Sequence, residues 1–97
     1  MLPTWPFDQG PRVAALTTSA VLERGLPVLR VVHYLENEDW AFTCGTTNDP
    51  ADGRIVAMEE ALGLDPTLAE VADLPPGWGA SRSQAGGSWV RYALPAS

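Results

Sequence analysis

The sequence predicts an α+β protein: a largely antiparallel sheet of about five strands with two to three short helices on one face. Three observations lead there. Short apolar runs rich in β-branched residues recur, "RVAALTT" and "PVLRVVHYL" among them, bounded by Gly, Pro or acidic residues. Two pairs of such runs are joined by the tight polar connections "ENED" and "QAGG", which suit antiparallel neighbours. Between those hairpins lie two stretches with apolar residues at helical spacing.

Taken in order, residues 1–11 form a Pro-rich extended arm. Pro3, Pro6 and Pro11 exclude a regular helix or a central strand. Trp5 and Phe7 are expected to tuck onto the edge of the domain, or else to insert into a neighbouring subunit. Residues 12–97 make one α+β domain, and 97 residues leave room for no second one. A chain of this size buries only about 60–65% of its unfolded surface, so the core is small.

"RVAALTT" reads as the first strand and "SAVLERG" as a short helical turn, with Ser19 as N-cap and Gly25 as its stop. "PVLRVVHYL" and "WAFTC" flank "ENED" as a hairpin. "GTTNDPADG" is a loop by its Gly, Asn, Asp and Pro content. "RIVAMEEALG" has Ile55, Met58 and Leu62 at helical spacing, Glu59 and Glu60 facing out and Gly63 past the end. In "DPTLAEVAD", Asp65 caps a second short helix with Pro66 at its first position and Leu68, Val71 and Ala72 inward. "WGASRS" and "SWVRYAL" form the second hairpin.

The only histidine and the only cysteine lie in "RVVHYLENEDWAFTCG". Side chains of a strand alternate between faces. A turn at Asn37-Glu38 sets Leu35 opposite Trp40, His33 opposite Phe42 and Val31 opposite Cys44, all on one apolar face. Cys44 then reads as a small core residue. His33 would lie diagonally from it, which leaves open an enzyme using the pair. A nucleophilic thiol needs an electropositive, partly exposed setting, and these neighbours are aromatic and acidic.

Other chemistry finds little support in the pattern. No ligand pair has metal spacing, and "TNDPADG" lacks the alternation and closing Glu of a calcium loop. "AGGS" lies between strands rather than before a helix, and no G-x-S-x-G elbow exists. Neither a cofactor nor a metal is expected.

Twelve acids face six arginines and no lysine, giving a net charge of −6. Such a surface repels nucleic acid and anionic lipid and attracts a basic protein. No run approaches the length of a membrane span, and the N-terminus lacks a signal-peptide pattern, so a cytoplasmic protein is expected. Arginine without lysine, with abundant Ala, Gly and Pro, suits a GC-rich bacterial genome. The candidate surface for a basic partner is Glu36, Glu38 and Asp39 in the hairpin turn with Asp49 and Asp52 in the following loop. A second candidate is an aromatic and arginine patch of Trp78, Arg82, Trp89 and Arg91, residue types enriched in binding hot spots.

The segments "TTSAVLERGLPVLRVVHYLENEDWAFTCG" and "DPTLAEVADLPPGWGASR" resemble a group of small bacterial proteins with W-x-F-x-C/D-G and D-P-x-L…A-D-L-P-x-G motifs. The group carries no assigned activity. "GLPVLRVVHYLENEDWAFTCG" is also similar to the immunity-protein-like DUF2185 (Imm33) family, although no glycine precedes Trp40. That resemblance implies a protein that binds and blocks a toxin without doing chemistry. The expected function is therefore a non-catalytic, acidic protein-binding module, with a homodimeric accessory protein as the alternative.

Overall fold

The computed structural model describes residues 5–45 and 50–95. Six strands form one sheet: β1 (Ala14–Thr18), β2 (Arg30–His33), β3 (Trp40–Thr43), β4 (Gly53–Ala57), β5 (Trp78–Ser81) and β6 (Val90–Ala93). Their order across the sheet is β4-β1-β3-β2-β5-β6. Among the described strands only β1 and β3 pair in parallel, with Leu16 beside Ala41. The Thr17 hydroxyl reinforces that contact by donating to the Phe42 carbonyl at 2.7 Å. The other four pairings are antiparallel. The fold class is α+β, as the sequence predicts.

The helical elements are short: α1 (Ser19–Leu22), α2 (Met58–Leu64) and 3-10 helices at Pro50–Asp52 and Pro66–Val71. They supply Ala20, Val21, Met58, Ala61, Leu68 and Val71 to the core. The sheet meets them with Ala15, Val31, Trp40, Phe42, Val56 and Ala80. Register explains the set. Ala15 faces Val56, Val31 faces Phe42 on one side and Ala80 on the other, so one face of the pleat collects the buried residues. Among the described residues no helix is long and apolar enough to cross a membrane.

Four local features differ from the sequence expectation. Residues 53–57 form strand β4, not the start of a helix. Ile55 and Val56 are β-branched, and all five residues of β4 pair with β1. Ile55 is 66% exposed on the outer face, while Val56 points inward. The helix begins only at Met58, where the Glu60 carboxylate accepts from the Ala57 amide at 3.1 Å. Gly63 lies inside that helix, and Asp65 follows its end.

The first hairpin is the second difference. Its pairs are His33 with Trp40 and Val31 with Phe42, a register displaced by two residues from the one a turn at Asn37-Glu38 gives. The turn is wider because the Tyr34 amide donates to the Asp39 carbonyl at 2.9 Å. The Asn37 side chain accepts from the Asp39 amide at 3.1 Å, and Glu38 takes a positive φ of 59°. A shift of two preserves the alternation, so the residues expected on the buried face stay there.

The third difference is the cap of α1, which is Thr18 rather than Ser19; its hydroxyl accepts from the Val21 amide. The fourth is Pro66–Val71, whose turn is 3-10 rather than α, although Asp65 caps it through the Thr67 amide as the sequence implies.

Candidate functional site

Residues of the N-terminal arm close over the buried end of the first hairpin. Phe7 is buried and meets Trp40 edge-on at 5.0 Å and Phe42 at 6.0 Å. Trp5 leans on Phe7 at 5.7 Å and donates its indole N–H to the Gln9 carbonyl. Both aromatic residues thus pack on the chain's own domain.

Beneath them the His33 ring stacks on Trp40, with centroids 4.0 Å apart and planes at 15°. His33 is 1% exposed. Its Nδ1 lies 2.8 Å from the Leu74 carbonyl, and a carbonyl only accepts, so Nδ1 carries the proton. Nε2 faces the Asp8 carboxylate at 3.6 Å without forming a hydrogen bond. Asp8 is held by the Trp40 indole N–H at 3.1 Å. The cluster ties the arm, both strands of the hairpin and the Leu74 corner together.

Cys44 is also buried, but the register sets it beside Leu29, four residues along the strand from His33. That is roughly 13 Å at the rise of an extended chain. The diagonal His33–Cys44 contact expected from the sequence is therefore not formed. The physical reason is the two-residue shift in the hairpin.

The expected acidic surface is divided. Glu36, Glu38 and Asp39 lie at the hairpin end of the sheet, with the start of β1 and the end of β4. Asp52 precedes β4 and so lies at the opposite end, beside Thr18. Asp49 lies outside the described residues. Carboxylates at opposite ends of the strands do not form one patch.

The aromatic and arginine set is divided as well. Arg82 is 7% exposed and spans three acceptors: the Val28 carbonyl at 3.1 Å, the Thr67 hydroxyl at 3.0 Å and the Asp65 carboxylate at 2.7 Å. Its guanidinium carbon lies 4.1 Å from the centre of the Trp89 ring. Arg82 is buried in this clamp with Trp89 partly buried over it, so its guanidinium is not free for docking. Arg91 is exposed and pairs with Asp73 at 2.7 Å while donating to the Glu70 carbonyl. The Arg91 hydrogen bond, helped by its charge and opposed by slight burial, holds the Asp73 carboxyl below its ordinary value of 3.8. Trp78 stands apart, partly exposed at the other end of β5.

A groove of about 520 Å³ opens on the helical side, lined by Val21, Leu26, Val28, Leu64, Asp65 and Thr67. Its carboxylate and hydroxyl are already engaged by Arg82. The groove therefore offers an apolar cleft with its polar groups spent on the fold.

The feature that sequence reasoning missed is the second face of the sheet, which no helix among the described residues covers. By strand alternation it carries Leu16 on β1, Ile55 on β4, Ala41 and Thr43 on β3, Val32 on β2, Gly79 on β5, and Val90 and Tyr92 on β6. Val32 and Ala41 are buried even here, while Ile55 and Val90 are 66% and 64% exposed. A depression of about 220 Å³ in this face is lined by Arg30, Val32, Tyr34, Ala41, Thr43 and Leu94. Antiparallel sheets that face water usually alternate apolar with polar residues. These strands are apolar on both faces. "LRVVHYL" and "RIVA" show that pattern in the sequence, and it could have been read as a sheet covered on both sides.

Charge on this face is sparse. Among the residues of the six strands that point there, only Arg30 is charged, and Asp39, just before β3, borders the same face beside Leu16 and Ile55. Neither Arg30 nor the Asp39 carboxylate has an ion-pair partner among the described residues.

Compared with protein-family models, curated proteins and solved structures, the chain matches none.

Proposed function

We propose that the chain is a non-catalytic protein-binding module that associates through the uncovered face of its sheet. The observation that carries this reading is the composition of that face. It joins exposed Leu16, Ile55 and Val90 to Tyr34, Tyr92 and a lone arginine, in a protein with eighteen charged side chains. Contiguous apolar surface rimmed by polar residues marks association sites. Interface centres are poor in charge and rich in Tyr and Arg. The resemblance to immunity proteins points the same way, since those act by binding. This reading moves the partner surface away from the expected acidic one, whose turn carboxylates and Asp52 lie at opposite ends of the sheet.

The experiment compares association of the parent chain, an Ile55→Asp/Val90→Asp variant and a Glu36→Lys/Glu38→Lys variant, by sedimentation and by capture of bound protein. The sheet variant should lose association, and the turn variant should keep it. Full association by the sheet variant would sink the reading.

A further inference from the structure

Building on that reading, we infer that the partner covering the open sheet face is a second copy of this chain, related by a two-fold axis that lies in the interface and crosses the strands. Two charges that the described residues place on the face point to this by their positions. Arg30 opens β2, and Asp39 immediately precedes β3. These strands are neighbours at the middle of the sheet and run antiparallel. Asp39 stands beside Tyr34, four residues along the strand from Arg30. That spacing is roughly 13 Å, so the two charges cannot meet within one chain. They are opposite in sign, equal in number and at opposite ends of the face.

A patch that binds itself through a two-fold axis must be complementary to its own rotated image. Rotation about an axis crossing the strands stacks each strand on its own copy, reversed end for end. Arg30 is then carried to the end where the partner subunit's Tyr34 and Asp39 lie, and Asp39 is carried to the partner's Arg30. Both charges find an opposite charge, twice per dimer. A two-fold axis parallel to the strands would leave both charges at their own ends, Arg30 away from Asp39 of either copy. The chain as a whole is acidic at −6, so two copies repel at long range. The two charges that the described residues place on this face sum to zero, so contact here avoids that repulsion. Face-to-face sheets about 10 Å apart are an established packing, and the apolar residues around the axis would be its core.

The test is sedimentation of the full-length chain with charge-reversal variants. The parent should be a dimer. Arg30→Asp and Asp39→Arg should each weaken it by roughly tenfold or more, because each sets like charges together twice. The double variant Arg30→Asp/Asp39→Arg should recover affinity to within about threefold of the parent, the mark of a coupled pair. All these positions are at the surface, and circular dichroism on each variant separates lost pairing from lost fold. A second readout leaves both charges in place. Ile55→Cys, exposed and level with Leu16 and Ala41 along the axis, should be joined to its own copy by a short bis-maleimide crosslinker. Glu59→Cys on the helical side should not. A parent that stays monomeric up to about 1 mM overturns the proposal. So does a double variant as weak as the single ones. In either case the broader binding reading is judged separately, by whether Ile55→Asp/Val90→Asp still captures a different protein.

Discussion

The guanidinium carbon of Arg82 lies 4.1 Å from the centre of the Trp89 ring while one of its terminal nitrogens holds the Asp65 carboxylate at 2.7 Å. The clamp joins β5, the β6 approach and the cap of the 3-10 helix, and its guanidinium is 1% exposed. Arg82→Ala leaves the Asp65 charge and the Val28 carbonyl without their donor. The expected loss is about 3–5 kcal/mol, read by urea unfolding. Arg82→Lys keeps the charge but not the planar fork, and should recover only part of the loss.

Trp40 is fully buried between His33, Phe42 and Phe7. Trp40→Ala should cost about 3–5 kcal/mol, enough to unfold a small domain of marginal stability. His33→Phe preserves the stacking area but leaves the Leu74 carbonyl without its donor. A loss of about 1–3 kcal/mol by thermal or urea melting is expected. An unchanged melting curve for His33→Phe would show that the Leu74 contact contributes nothing.

On the open face, a methyl group placed on Gly79 would meet the Tyr92 ring at 3.0 Å. The ring covers the glycine across the strand pair. Gly79→Ala should therefore destabilise by about 1 kcal/mol as the ring is displaced. The same substitution in a Tyr92→Ala background should cost less. A double-mutant cycle checks this, and simple additivity would mean the ring does not press on residue 79.

The Asp73–Arg91 pair gives a pH dependence with a defined sign. Its folded carboxyl titrates below the ordinary 3.8, so its contribution is complete above that value and is lost as pH falls through the folded one. The stability gap between the parent and Arg91→Met should be constant near neutrality and shrink below about pH 4. Both side chains are largely exposed, so the gap should stay under about 1 kcal/mol. A gap that widens on acidification would contradict the assignment.

The class of fold was legible because alternation and turn chemistry act locally. "PVLRVVHYL", "WAFTC" and the late hairpin declare themselves without knowledge of the rest. Strand β4 was hidden because Ile55, Met58 and Leu62 share helical spacing by coincidence. What makes residues 53–57 extended is β1, some forty residues earlier in the chain. The hairpin shift has a similar source. Asn37 and Glu38 suit a tight turn, but the positive φ that allows the wider one falls on a glutamate, which carries no such signal. The candidate site was less legible than the fold. Charges near in sequence, such as Asp39 and Asp52, are sent to opposite ends of the sheet by its topology. Arg82 reads as a surface residue until Asp65 and Thr67 are known to reach it.

The position of β1 has a consequence for how the protein comes into being. β1 is the first of the six described strands in the chain, yet both of its neighbours, β3 and β4, come later. A nascent chain that ends before residue 57 leaves one edge of β1 unpaired and its apolar surface open. Strand β2 pairs early with β3 but gains its other neighbour, β5, only once residue 81 has been made. The run of strands from β4 to β5 is therefore complete only once residue 81 has been made. Until then the early strands depend on chaperone cover or on speed to escape association with other nascent chains.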